Sequence, residues 1–138
     1  MYFHGGGWVL NFLDIYDASL SRLANKSGAT IISVNYQKAP EHPFPIPFDD
    51  CYATLLWVAQ NATELGVDIS KLGVAGDSAG ANLASAVALK ARDNAIALAF
   101  QLLIYPCNGL DFETESFLQN ASGYGLSTQA MQWFWQQY

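Results

Sequence analysis

The sequence is poor in charged residues and has almost none of the side chains that bind metals or nucleic acids. Its 138 residues include six Lys or Arg, twelve Asp or Glu and two His, which gives a net charge of −6. A nucleic-acid partner is excluded because binding a phosphate backbone requires clustered basic side chains. The two cysteines, Cys51 and Cys107, lack metal-ligand spacing, and two histidines are too few to favour a zinc site. We expect both cysteines to be free, buried thiols rather than a disulfide.

Long apolar runs and a signal peptide are also missing. No apolar run reaches the roughly 18 to 20 residues that span a bilayer, and the first residues, MYFHGGGW, lack a basic start and a cleavage site. Membrane association is therefore expected only through segments outside these 138 residues. Three N-x-[ST] sequons, at Asn25, Asn61 and Asn120, are a weak indication of a secretory compartment.

What the chain does contain is a regular alternation of strand-like and helix-like segments. Hydrophobic residues make up 51% of it, which is enough for one globular core. Short apolar or β-branched runs, typical of buried strands, alternate with stretches of helical periodicity. This pattern predicts parallel βαβ units with helices on both faces of a sheet. Strands are predicted at 2–3, 29–35, 72–76 and 97–106, and helices at 14–27, 49–65, 79–92 and 127–138.

Two segments are predicted to lack regular structure. The stretch KAPEHPFPIPFDD, residues 38–50, holds four of the five prolines. Proline interrupts both helices and strand ladders, so an extended loop is expected there. Residues 108–125 have no clear periodicity and are also expected to form a loop.

The stretch Gly76-Asp77-Ser78-Ala79-Gly80 fits the G-x-S-x-G nucleophile elbow. In such an elbow a strand turns sharply into a helix and exposes the serine hydroxyl, and the flanking glycines leave room for the turn. The motif lies between a predicted strand and a predicted helix, which is the context it requires. Ser78 is therefore the predicted nucleophile, and the start of the following helix would favour a developing anion beside it.

The second glycine-rich motif, His4-Gly5-Gly6-Gly7, directly follows the first predicted strand. A loop of this HGGG type supplies backbone N–H donors to an oxyanion hole. The alternative is a generic glycine-rich turn that cradles a phosphate. Neither G-x-x-x-x-G-K-[ST] nor G-x-G-x-x-G occurs, so a nucleotide-binding domain is not supported. In α/β sheets, ligands bind at the carboxyl ends of the strands, where both motifs lie.

Several stretches together resemble the hormone-sensitive-lipase-like group of α/β-hydrolases, which are carboxylic ester hydrolases. The stretches are YFHGGGW, NYQKAPEHPFPIPFDD, GVAGDSAGANLA and QLLIYP. A further one, IYPCNGLDFETESFLQN, resembles the arylacetamide deacetylase and neutral cholesterol ester hydrolase branch. The resemblance implies a three-layer α/β-hydrolase fold with a mostly parallel central sheet, truncated at both ends. Residues 1–138 would be the central part of a single catalytic domain.

The resemblance also implies a set of site residues. Gly6, Gly7 and Ala79 would donate to the oxyanion, and the strand before HGGG would lie beside the strand before the elbow. Trp8 is an equal candidate for the substrate pocket and for the core. No cofactor or metal is implied, and the substrate would be a small-molecule or lipid ester. Members of the narrower branch are typically anchored in the endoplasmic reticulum membrane with a lumenal catalytic domain.

The sequence offers no persuasive general base. A serine hydroxyl needs a histidine oriented by a carboxylate, and in α/β-hydrolases both follow the nucleophile in the chain. The two histidines, His4 and His42, precede Ser78 and match positions that the family uses structurally. The acid and base are thus expected beyond residue 138, Asp77 is expected to brace the elbow, and the chain alone should be nearly inactive. The alternative is a non-catalytic small-molecule-binding protein on the same fold.

Overall fold

A parallel sheet flanked by helices forms the molecule, for which a computed structural model describes residues 1–10 and 12–138. The strands are β1 (Tyr2–Phe3), β2 (Ser33–Val34), β3 (Gly73–Asp77) and β4 (Phe100–Ile104). The helices are α1 (Asp17–Ser27), α2 (Ile46–Gln60), α3 (Ala79–Asp93), α4 (Glu115–Gln119) and α5 (Thr128–Gln137). Short 3-10 turns occupy Leu13–Tyr16 and Ile69–Lys71.

The four strands are ordered β2-β1-β3-β4, and every neighbouring pair is parallel. Phe3 is in register with Gly76, which in turn is in register with Leu103. The predicted α/β class with a parallel sheet is confirmed. So is the expectation that the strand before the glycine run lies beside the strand before the serine, and both motifs consequently leave the sheet at the same edge.

Strand β2 is shorter and less covered than predicted. The β-branched run 29–35 forms ladder pairs only at Ser33–Val34. Of these seven residues, only Val34 is buried. The reason is that β2 is an edge strand whose one neighbour, β1, is two residues long. A ladder cannot extend beyond its partner. The prediction of a strand covered on both faces is therefore wrong.

Helical structure replaces loop at two places. In the proline-rich segment, α2 already begins at Ile46, with Pro47 in its first turn. Proline is tolerated there because the first N–H groups of a helix have no acceptor within it. In the segment 108–125, α4 forms over Glu115–Gln119, and the hydroxyl of Thr114 accepts from Phe117 N at 3.4 Å. The loop predictions are wrong at these residues and hold around them.

The core lies between the sheet and the helices α2 and α3. Leu55, Val58, Leu83 and Val87, which project from these two helices, are fully buried. By contrast, the outer strand β4 is largely open, and Phe100 remains 54% exposed. Within the described residues, no helix is long and apolar enough to cross a membrane.

Candidate active site

Ser78 lies at the turn between β3 and α3. Its backbone has φ 52° and ψ −120°, a conformation that is unusual for a residue with a side chain. The Ser78 N–H donates to the carbonyl of Ile104 at 2.9 Å, so the end of β4 holds the strained residue. The side chain is half-buried rather than enclosed. The geometry is thus that of a strained strand-to-helix turn which leaves the hydroxyl accessible.

The glycines on either side of Ser78 are required by close backbone packing. A Cβ at Gly76 would lie 2.7 Å from the carbonyl oxygen of Phe3 and 2.5 Å from the backbone of Gly80. A Cβ at Gly80 would collide with the carbonyl oxygen of Phe3 and lie 2.5 Å from that of His4. Such distances are far inside van der Waals contact. The two glycines therefore let β3 and the start of α3 pack directly against the end of β1.

The glycine run after β1 turns back on itself beside the elbow. The carbonyl of Gly6 accepts from Val9 N at 3.1 Å and from Leu10 N at 2.8 Å. Gly6 has φ 115° and Gly7 has φ 60°, both in the region that favours glycine. The amides of Gly6 and Gly7 hydrogen-bond to no acceptor within residues 1–10 and 12–138. The two amides are therefore candidate donors to an incoming oxygen atom.

Ala79 is the first residue of α3 and directly follows Ser78. Its side chain is fully buried. The N–H groups of a helix's first turn have no acceptor within the helix. The Ala79 amide is therefore free to donate outward from the start of α3.

Both motifs border one cleft of about 210 Å³. Its lining residues are Gly6, Gly7, Trp8, Leu10, Ser78, Cys107, Leu126, Met131 and Phe134. The structure thus brings Ser78 together with Gly6 and Gly7. The apolar wall that the C-terminal residues form was not predicted from the sequence. That wall comes from α5 and the turn before it, whose position relative to the elbow has no signature in the sequence.

Trp8 lies mainly in the core behind this cleft. It is 1% exposed, and its ring stacks on that of Tyr138 with centroids 4.4 Å apart and an interplanar angle of 1°. The Trp135 ring also packs against Trp8, tilted by 54° with centroids 4.5 Å apart. Of the two readings of Trp8, the core position is observed, and a direct contact with substrate stays a prediction.

Cys107 is a cleft residue that the sequence did not reveal. Burial raises the pKa of its thiol to about 11, and a hydrogen bond with Ser78 acts in the opposite direction. The side-chain amide of Asn82 donates to the Cys107 carbonyl at 3.2 Å and fixes the loop after β4 on α3. Cys107 and Cys51 are both free, as predicted, but only Cys51 is buried, whereas Cys107 is half-buried and the prediction of a buried thiol is wrong for it. The only sequence feature that could have indicated Cys107 as a cleft residue is its position after β4, the strand next to β3.

Asp77 braces the elbow, as predicted. One carboxylate oxygen accepts from Tyr2 Oη at 2.9 Å and from Gly5 N at 3.0 Å. The other accepts from Tyr16 Oη at 3.0 Å. The pKa of the Tyr2 hydroxyl is raised by its burial and by this hydrogen bond to Asp77. The two tyrosines could not be predicted as partners of Asp77, because they are distant from it in the chain.

The two histidines lie outside the cleft. His4 is fully buried, its Nδ1 lies 2.8 Å from the carbonyl oxygen of Gly5, and its ring stacks on Tyr36. Burial lowers the pKa of His4 below its ordinary value. His42 is exposed in the proline-rich loop. Within the part of the chain described by the structure, no group of three or more His, Cys, Asp or Glu is placed to hold a metal.

The chain is similar over most of its length to a carboxylesterase and to a deacetylase. Carboxylesterase NlhH from Mycobacterium tuberculosis is 48% identical over 122 residues, which are 88% of this chain and 38% of that protein. Arylacetamide deacetylase from Bos taurus is 43% identical over 145 residues, with 99% of this chain and 36% of that protein covered. The chain thus spans little more than a third of the length of these two relatives.

Solved structures give the same result. A fungal esterase from Rhizomucor miehei matches with a TM-score of 0.95 at 39% identity, over 99% of this chain and 43% of that one. A hyperthermophilic esterase from Pyrobaculum calidifontis matches with a TM-score of 0.92 at 45% identity, over 99% and 45%. The model of the α/β-hydrolase fold family matches residues 1–138. The chain therefore belongs to the α/β-hydrolase fold family, within its hormone-sensitive-lipase-like group.

Proposed function

We propose that this chain carries the nucleophile and the oxyanion hole of a serine ester hydrolase. The observation that carries the proposal is that Ser78 borders the same cleft as Gly6 and Gly7, whose amides have no acceptor among the described residues. An accessible hydroxyl beside free amide donors is the arrangement that acyl transfer needs. Relatives named carboxylesterase and esterase support the same reaction class.

In the proposed reaction, the Ser78 oxygen attacks the carbonyl carbon of an ester as its proton passes to a base. The resulting oxyanion accepts from the N–H groups of Gly6, Gly7 and Ala79. Each such donor contributes about 3 to 4 kcal/mol to lowering the barrier. Collapse of the tetrahedral adduct expels the alcohol, leaves an acyl group on Ser78, and is followed by attack of water on that acyl-enzyme.

The base is not supplied by either histidine of the chain. His4 is enclosed between Tyr36 and Gly5, and His42 lies on an exposed loop away from the cleft. We propose that a histidine and a carboxylate outside these 138 residues complete the site. The isolated chain would then retain only the weak acceleration that oxyanion donors and binding provide, roughly a thousandfold over water.

The proposed substrate is a small-molecule or lipid ester. The cleft is walled by apolar side chains, among them Leu10, Leu126 and Met131, and none of the described residues that line it is charged. An apolar wall favours an uncharged acyl or alcohol group because burying a charge without a partner is costly. A cleft of about 210 Å³ is also smaller than the pockets that hold drug-sized ligands.

Covalent labelling of the full-length protein with a fluorophosphonate tests this function. The wild type and Ser116→Ala, a change at an exposed serine outside the cleft, should both be labelled, whereas Ser78→Ala should not. Equal labelling of wild type and Ser78→Ala would overturn the proposal. Absence of labelling in all three, with ester analogues still bound, would favour a non-catalytic binding protein.

A further inference from the structure

We propose that Asp77 is a positioning residue, which holds the glycine loop at the distance from Ser78 that an oxyanion requires. This inference rests on the proposed function. Asp77 is the last residue of β3 and directly precedes Ser78. Its carboxylate accepts the amide of Gly5 at 3.0 Å, and Gly5 directly precedes the proposed donor Gly6. One side chain therefore links the nucleophile strand to the donor loop.

The Asp77 carboxylate contacts the glycine loop so closely that only glycine fits at position 5. A Cβ added to Gly5 would overlap the Asp77 carboxylate and would lie 3.0 Å from its backbone carbonyl oxygen. The first glycine of the run is thus required by the position of Asp77. Any shift of this carboxylate changes where the backbone of Gly5, and then that of Gly6, can lie.

The buried Asp77 carboxylate is stabilised by hydrogen-bond donors rather than by a cationic side chain. Asp77 is 8% exposed, and the ion pairs among residues 1–10 and 12–138 are Lys71–Asp68 and Arg92–Asp93. A buried acceptor is stabilised only if its hydrogen bonds are made. Tyr2 from β1 and Tyr16 from the turn before α1 supply two of them. Tyr16 Oη also lies 3.1 Å from the amide of Gly5, so the hydroxyl and the carboxylate hold one N–H together.

An amide cannot reproduce all the hydrogen bonds of this carboxylate. In Asp77→Asn one accepting oxygen becomes an NH₂ group: facing Gly5 N, it meets an N–H that cannot accept, and facing Tyr16 Oη, it requires a hydroxyl that now donates to accept instead. Either rearrangement weakens the hold on the glycine loop. A displacement of about 1 Å in an active site can cost roughly a hundredfold in rate.

The test compares Asp77→Asn, Tyr16→Phe and a matched control in the full-length protein. The control is Asp50→Asn, because Asp50 also accepts a backbone amide, that of Gln37 at 2.8 Å, but lies outside the cleft. With a short p-nitrophenyl ester, we expect kcat of Asp77→Asn to fall about 10- to 100-fold while KM changes little. Tyr16→Phe, which keeps the carboxylate, should lose less, and Asp50→Asn should keep the wild-type kcat.

Amide hydrogen exchange of the peptide covering residues 4–8 provides a readout that does not depend on turnover. It should be faster in Asp77→Asn than in the wild type or Asp50→Asn, with unchanged exchange in α2 as evidence of folding. Wild-type kcat and exchange in a folded Asp77→Asn would overturn the inference. If that variant does not fold, wild-type values in Tyr16→Phe would overturn it. Lack of Ser78-dependent hydrolysis in the wild type would instead contradict the proposed function, and exchange would still test Asp77.

Discussion

The Tyr36 hydroxyl donates a 2.6 Å hydrogen bond to the carbonyl oxygen of His4, and the two rings stack with centroids 4.4 Å apart. Both residues are almost completely buried. His4 begins the glycine loop, while Tyr36 follows β2, so the contact joins the loop to the edge of the sheet. The histidine of the HGGG motif is thereby fixed as part of the core.

Removing this hydroxyl should destabilise the protein. Tyr36→Phe leaves the His4 carbonyl without its buried donor, which is expected to lower the free energy of unfolding by about 1 to 3 kcal/mol. Urea denaturation measures the change. Tyr124→Phe, at a residue that is 73% exposed, is the matched control and should have the stability of the wild type. Equal stability of both variants would show that the hydrogen bond contributes nothing.

Stability should decrease as the pH falls below the ordinary pKa of histidine, about 6.5. Burial lowers the pKa of His4, so in this range the unfolded chain binds a proton that the native chain does not. The free energy of unfolding then falls with decreasing pH, by at most about 1.4 kcal/mol per pH unit for one group. Denaturation between roughly pH 7.5 and 5.5 in a His42→Gln background measures this dependence, and the part that disappears on adding His4→Gln belongs to His4 rather than to the Met1 amino group, whose pKa burial also lowers. Stability that is constant or rises on acidification would contradict this.

The close packing of Gly80, in the first turn of α3, on the end of β1 should tolerate no side chain. Gly80→Ala places a methyl group against the carbonyl oxygens of Phe3 and His4, which are backbone atoms and cannot rotate away. We expect a loss of about 2 to 3 kcal/mol or more in unfolding free energy. Gly109→Ala is the control, because no atom lies within 4 Å of its added Cβ. Thermal and urea unfolding of both variants provide the comparison, and a Gly80→Ala protein as stable as Gly109→Ala would refute the packing argument.

Leu83 of α3 and Leu110 of the segment after β4 should differ in their contribution to stability. Leu83 is fully buried between α3 and the sheet, so Leu83→Ala should cost about 2 to 5 kcal/mol. Leu110 is 62% exposed, and Leu110→Ala should cost less than about 0.5 kcal/mol. Calorimetric unfolding distinguishes the two. Similar melting temperatures for both variants would place Leu83 outside the core.

The elements that carry their own local signal were predictable. Residues 79–92 have helical periodicity after a glycine-flanked serine, and α3 forms over Ala79–Asp93. The helix predicted at the end of the chain is present as α5, capped by the hydroxyl of Ser127. The pairing of β1 with β3 followed from the family resemblance and is observed. The proximity of the two glycine motifs depends on that pairing.

The predictions that failed concern features that are set by residues close in space but distant in the chain. The run 29–35 has the composition of a buried strand, but its ladder length is set by β1, and only Ser33–Val34 pair. Pro47 reads as a helix breaker until its position in the first turn of α2 is known. Likewise, the contact between Cys107 and Ser78 arises because β4 ends beside β3, which no spacing within either segment encodes.

The packing of Gly76 and Gly80 against Phe3 has a consequence for engineering. Ser78 cannot be transplanted with its turn as a five-residue motif, because the glycine positions on either side, Gly76 and Gly80, are shaped by the backbone of a strand more than 70 residues earlier in the chain. A recipient scaffold must also provide a parallel neighbour that stops at the same level, followed by a turn without side chains. The transferable unit is a pair of adjacent strand ends.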